Sequence, residues 1–306
     1  MLEKIDLTRK LPKEEYTILI PRLQRRLYDL EKACWDANIP SIIIFEGWDA
    51  AGKGTSINLL TSRLDPRGFK LHPIQASRTF ETHLPWLWRF WLKVPNYGEM
   101  AIFDRSWYGR VLVERVEGLT AVQEWRKGYR DIVDFERTLA DDGYVIAKFF
   151  LHISKKEQKR RFKKLEKNPL KSWHVQPEDW EHHRKYKEYV VAIEEMLERT
   201  DTEWGPWTIV EATDRRWARV KIFQTIIRRL EDSLTERGFA LPEEVAFPTP
   251  EEDEEERELE EAALAQPEAA EEPASEGGAE ALDEDQGSED LETERVAEAA
   301  APTGEG

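Results

Sequence analysis

Apolar residues recur at two periods along this chain, and the alternation between them outlines a fold. Between residues 13 and 38, Leu, Ile and Tyr return three and four positions apart among Arg, Lys and Glu, predicting a long amphipathic helix stopped by Asn38 and Pro40. Ser41 to Phe45 form a short apolar run bounded by Pro40 and Gly47, the pattern of a strand buried on both faces. Runs at 69–74, 100–103, 144–153 and 207–211 predict further strands, and helical spacing occupies 53–64, 121–141, 154–167, 177–199 and 214–237. Residues 83–94 hold three Trp and read as another helix, with rings suited to core or subunit interface more than to base stacking. Strands alternating with helices predict an α/β fold, a three-layer αβα arrangement around a parallel sheet of about five strands.

Charge divides the chain. Residues 243–306 hold 25 acidic and 2 basic side chains, a charge of −23, which leaves +6 for residues 1–242 out of the total of −17. Ala, Glu, Pro, Gly and Ser dominate that last segment, so it cannot bury enough apolar surface to offset its ordering entropy. We therefore expect a catalytic domain at 1–240 and a disordered acidic tail at 241–306, a solubilising appendage in the first place and a pseudo-substrate for a basic surface in the second. Cys34 is the single cysteine, which excludes an intrachain disulfide, and it suits a buried helix face better than a catalytic thiol. The first thirteen residues lack the apolar run of a signal peptide, and no stretch is apolar enough to span a membrane. A cytoplasmic protein is expected.

Candidate chemistry starts where the first strand ends. Gly47 to Lys53 has the Gly-x-x-x-x-Gly-Lys spacing of a phosphate-binding loop, set between a strand and a helix. In that setting the backbone N–H groups and the helix N-terminus converge on an anion, with Lys53 as a mobile positive charge. Gly54 stands where many such loops carry a metal-binding hydroxyl, which leaves Thr55 or Asp49 for that task. Asp104 ends the strand 100–103, where a second metal-holding carboxylate is expected at the sheet's carboxyl edge. Arg67 and Arg78 flank the strand 69–74 as acceptor-binding groups or as plain surface charges. Ser154 and Glu157 have capping-box spacing, and the helix they open carries Lys156, Arg160, Lys163 and Lys167 on one stripe with Lys159, Arg161 and Lys164 beside it. A lid that grips a polyanion, spanning about 154–185, is the reading favoured over a merely solvated face.

Taken together, Gly47-Trp48-Asp49-Ala50-Ala51-Gly52-Lys53-Gly54-Thr55, Phe103-Asp104-Arg105-Ser106-Trp107-Tyr108-Gly109-Arg110, and Leu151-His152-Ile153-Ser154 with Glu157 to Phe162 resemble the three signatures of the polyphosphate kinase 2 family. The likeness runs from about residue 5 to residue 235. It implies a thymidylate-kinase-like P-loop fold and transfer of the terminal phosphoryl group of inorganic polyphosphate to a nucleotide. Carried over, it implies metal binding by Asp49 and Asp104, catalysis by these with Lys53 and Arg105, and lid contacts from Arg160 and Arg161. Gly47, Ala50, Ala51, Gly52, Gly54, Thr55, Arg67 and Arg110 complete the expected binding set, and Gly54 conforms to this family's own loop. The cofactor implied is Mg2+, with Mn2+ as a substitute, and the partners are polyphosphate and AMP, ADP or GDP rather than nucleic acid or membrane. The stretch 104–116 looks most like the branch that phosphorylates AMP. Only one phosphate-loop pattern occurs, whereas many members of that branch carry two, so ADP or GDP stays open as acceptor. Two rivals use the same features: an ATP-dependent nucleotide kinase and a non-catalytic polyanion-binding module. A homo-oligomer, dimer or tetramer, is expected from the first helix and the Trp-rich stretch.

Overall fold

Residues 2–243 are described by a computed structural model. The acidic tail expected beyond that point lies outside the described residues. The long first helix α1 covers Lys13–Asp36 and leads into β1, Ser41–Gly47; α2, Lys53–Thr61, starts directly after the glycine loop. Next come β2 (Phe69–Pro73), the single turn α3 (Trp88–Trp91) and β3 (Met100–Asp104). The short α4 (Val113–Val116), α5 (Val122–Asp141), β4 (Val145–His152) and α6 (Lys155–Glu166) follow. Then α7 (Pro177–Arg184) and α8 (Tyr186–Thr200) precede β5 (Trp207–Glu211) and α9 (Arg215–Glu236).

All five strands are parallel, in the order β2-β3-β1-β4-β5. β4 is buried from end to end and β1 up to its last residue, Gly47, as strands covered by helices on both faces must be. On one side α1 packs against α9, and Gln24 of α1 donates to the Leu59 carbonyl and Ser62 hydroxyl at the end of α2. On the other side α5 packs against β4 and α8. β1 is central: the chain leaves it through α2 for β2 and then β3 on one side, and crosses to the other side as β4 and β5. The crevice that such a reversal opens lies beyond the carboxyl ends of β1 and β3.

Two expected helices differ. Pro85 breaks the 83–94 stretch, so only Trp88–Trp91 is helical, and its rings pack individually: Trp91 on Phe135 at 4.7 Å, Trp86 Nε1 on Asp131. The 177–199 stretch is two helices, divided at Lys185, whose ammonium pairs with Glu117. Cys34 is buried on α1, and burial pushes its thiol up to about 12. Among the described residues no helix is long and apolar enough to cross a membrane.

Candidate active site

The glycine loop is shaped by close neighbours. A Cβ on Gly47 would stand 2.5 Å from the Leu151 carbonyl oxygen, and Gly47 itself sits at φ +139°. Only glycine lets β4 run that near. Ala50 and Gly52 also take positive φ, which turns the chain sharply enough to start α2 at Lys53. The buried Lys53 curls back over this turn and donates to the carbonyls of Gly47 at 2.8 Å and Trp48 at 3.2 Å. Trp48 stacks on Tyr186 with centroids 4.0 Å apart, and its Nε1 donates to His152 Nδ1 at 2.9 Å. Thr55 and Gly54 are exposed at the mouth, and Asp104 Oδ2 is 4.0 Å from where a Cβ on Gly54 would stand.

Asp49 is the electrostatic centre. Arg105, held at φ +63° just after β3, donates to its Oδ1 at 2.8 Å, and His182 of α7 lies 3.2 Å from its Oδ2. Burial opposes ionisation of Asp49, but the His182 hydrogen bond and the charges of Lys53 and Arg105 outweigh it and hold the carboxyl well below the usual range. The same hydrogen bond raises His182 against its burial. Asp179, also on α7, is pushed up by burial and by the Asp49 charge, despite the Gln176 N–H it accepts. Beneath them Glu46 is fully buried, accepts from the Ser106 hydroxyl at 2.9 Å, and is raised by that burial.

Asp49, Asp179 and His182 form a trio whose ligand atoms lie within 4.8 Å of one another. Sequence reasoning had paired Asp49 with Asp104; Asp104 stands outside this trio, on the Gly54 side of the same sheet edge. Asp179 and His182 were missed because they come from a lid helix about 130 positions away, with no spacing signal toward Asp49. The carboxylates suit a hard divalent cation, which takes oxygen ligands, whereas His182 suits that ion poorly.

Other expected binding residues are placed differently. Arg67 precedes β2 and so lies at the amino edge of a parallel sheet, opposite the glycine loop, where it pairs with Asp65 at 2.7 Å. Arg110 is taken by Glu114 at 3.1 Å and Thr120 at 3.0 Å and covers the Trp86 ring. On α6, Lys156, Lys159, Arg160, Lys163 and Lys164 are exposed as the stripe predicted, with Arg160 bonded to Glu157 at 2.7 Å. Arg161 is not part of that surface. It is 5% exposed, because one position further turns it about 100° toward the domain, beside Gln158 and Phe162. The Ser154 cap is present, its hydroxyl accepting from the Glu157 N–H at 3.2 Å.

A glycine loop between strand and helix, at the reversal point of a parallel sheet and beside a basic helix, defines an α/β protein of the phosphate-loop type. The polyphosphate kinase 2 family profile matches residues 10–238, and the chain belongs to that family. It is 43% identical over 231 residues to the polyphosphate:AMP phosphotransferase of Pseudomonas syringae pv. tomato, covering 76% of this chain and 46% of that protein. The Pseudomonas aeruginosa protein of the same name is 44% identical, with 76% and 47% covered. This chain therefore spans about half the length of those relatives. The ADP-polyphosphate phosphotransferase of P. aeruginosa is 35% identical over 228 residues, covering 74% of this chain and 75% of that protein. Among solved structures, a putative polyphosphate kinase 2 from P. aeruginosa superimposes with TM-score 0.75 at 43% identity, covering 77% of this chain and 50% of that one. Polyphosphate kinase 2 from Arthrobacter aurescens gives 0.74 at 28% identity, covering 86% and 93%.

Proposed function

We propose that this chain is a polyphosphate-dependent nucleotide phosphotransferase that moves the terminal phosphoryl group of inorganic polyphosphate to AMP. The observation that carries the reading is the convergence of Lys53, Arg105 and Asp49 at a glycine loop roofed by a helix whose outer face is lysine and arginine. The relatives named polyphosphate:AMP phosphotransferase support the acceptor. A diphosphate acceptor is the second reading, favoured by the fuller coverage of the relative named ADP-polyphosphate phosphotransferase.

Phosphoryl transfer asks for placement and charge neutralisation more than covalent help. Loop N–H groups and the α2 N-terminus bind phosphate oxygens, and Lys53 has only to swing from its two carbonyls to reach them. Arg105 exchanges its Asp49 contact for the transferring group, and the α6 cations hold the trailing anion. The acceptor phosphate oxygen is ionised at neutral pH, so the site needs no strong base. Asp49 and Asp104 would hold magnesium or manganese, and the chemistry such an ion supplies when bound is neutralisation of phosphate charge. Exposed Ile18, Tyr28 and Trp35 on α1 support a homo-oligomer, and the composition supports a cytoplasmic location.

The test is direct. The protein is incubated with long-chain polyphosphate and magnesium, with AMP and ADP in separate reactions, and the products are identified. ADP formed from AMP supports the first reading, and ATP formed from ADP alone supports the second. Transfer from ATP but not from polyphosphate would replace both with an ordinary nucleotide kinase, and no transfer at all would leave a binding module.

A further inference from the structure

The buried half of the lid helix does something its charge did not announce. Three successive carbonyl oxygens of the phosphate loop are each taken by a side chain of α6. Gln158 Nε2 donates to the Asp49 carbonyl at 3.3 Å, and Arg161 donates to those of Ala50 at 2.9 Å and Ala51 at 2.7 Å. The other arm of the same guanidinium reaches the carbonyls of Ala212 at 2.7 Å and Thr213 at 3.1 Å, beyond β5, while Glu157 accepts from its Nε at 2.7 Å. Gln158 is held in turn: its Oε1 can only accept, so His183 Nδ1, 2.8 Å away on α7, carries the proton.

Peptide units have two ends. When the oxygens of Asp49, Ala50 and Ala51 are drawn outward to α6, the N–H groups that follow them in sequence point the other way: that of Ala51 closes on the Trp48 carbonyl, and those of Ala50 and Gly52 are turned toward the cradle. Of the positive-φ residues of this turn, Ala50 is the one that is not glycine, held at φ +59°, a conformation that the loop's own sequence does not favour. From this we infer that Gln158 and Arg161 are positioning residues: they clamp the loop carbonyls from outside and so set the anion-receptive shape of the loop. Arg161 then does not touch the donor anion, and the exposed cations of α6 are the ones that do. The consequence for the proposed reaction, on whose reading this last step rests, is that lid and loop are one mechanical unit. Displacement of α6 would loosen the phosphate cradle as well as uncover it.

The clamp itself is tested without substrate, by amide hydrogen exchange on the full chain for Arg161→Lys, Arg161→Gln and Gln158→Leu. A buried charge-assisted hydrogen bond is worth roughly 10- to 100-fold in an equilibrium. The amides of Trp48 and Ala51, which are bonded to Leu151 and Trp48 carbonyls, should therefore exchange at least about tenfold faster in Arg161→Gln, while β1 and β4 keep wild-type protection. Arg161→Lys, which keeps the charge but cannot span four carbonyls, should recover little of it. Wild-type loop exchange in a folded variant overturns the inference; so does loss of protection in loop and strands together in all three, which would make these residues general props of the domain. Tripolyphosphate affinity is measured alongside. A wild-type protein that fails to bind it sinks the proposed function but leaves the exchange result standing; a clamp variant with loosened loop amides should bind it about ten- to a hundredfold more weakly.

Discussion

Lys148 and Glu136 are both fully buried, and removing one of them should be among the most costly single changes in this domain. Lys148 Nζ donates to Glu136 Oε2 at 2.8 Å, to the Tyr108 hydroxyl at 2.9 Å and to the Thr200 carbonyl at 2.7 Å. Glu136 Oε1 accepts from the same Tyr108 hydroxyl at 2.7 Å and from Trp107 Nε1 at 3.0 Å. Lys148→Met keeps the stem volume but leaves a carboxylate with no counter-charge and a carbonyl with no donor. Breaking a buried pair from one side costs about 3–5 kcal/mol. At roughly 2–4 °C per kcal/mol for a domain of this size, the melting temperature should fall by about 6–20 °C. Lys148→Met combined with Glu136→Gln removes the stranded charge while the amide oxygen still accepts from Tyr108 and Trp107, so it should recover at least about 2 kcal/mol. Urea unfolding followed by circular dichroism reads both variants. A single variant within about 1 kcal/mol of wild type, or a double variant no better than the single, would refute the reasoning. The stake is functional as well, since Trp107 and Tyr108 follow the Asp104–Arg105 turn and form the floor beneath it.

Asp49→Asn and Asp104→Asn should each lower turnover at least about a hundredfold in a steady-state phosphoryl-transfer assay, and retained turnover in both would remove these residues from the machinery. Replacing Arg160, Lys156 and Lys163 with Gln should weaken long-chain polyphosphate binding and flatten its salt dependence; unchanged affinity across 50–300 mM salt, on the order of the screening range, would take the outer lid face out of the reading. Burial pushes His152 down to about 4, and its Nδ1 must stay unprotonated to accept from Trp48. Between that value and its ordinary 6.5 the unfolded chain binds a proton that the folded chain does not. Stability should therefore fall by up to about 3 kcal/mol as pH drops across this window and level off below it. His152→Asn should flatten the dependence, and an unflattened curve would assign the effect to another group.

Much of this fold was legible because it is written locally. The run Ser41–Phe45 and its glycines predict a buried strand and a glycine loop that turns directly into a helix, and the structure has both. What misled was charge without direction. Arg160 and Arg161 are adjacent cations on a basic helix, yet one points to water and the other to the loop carbonyls. The signal was available in Gln158 and Phe162, which with Arg161 and Leu165 mark an inward face at helical spacing. Of the two readings of Arg67, the exposed pair with Asp65 fits the surface charge: a residue before a parallel strand lies at the edge opposite a loop that follows one, and strand direction chooses between them.

The sequence by itself determined that a glycine loop leaves a buried strand, that acidic and basic groups accompany it, and that negative charge is concentrated in residues 243–306. Those features depend on neighbours a few positions apart, where propensity and spacing act directly. Only the tertiary structure decided which groups meet: Asp179 and His182 at Asp49, and Arg161 on the loop carbonyls. Such contacts join segments about 110 to 130 positions apart, and they are chosen by how helices dock on the sheet, which no local pattern encodes.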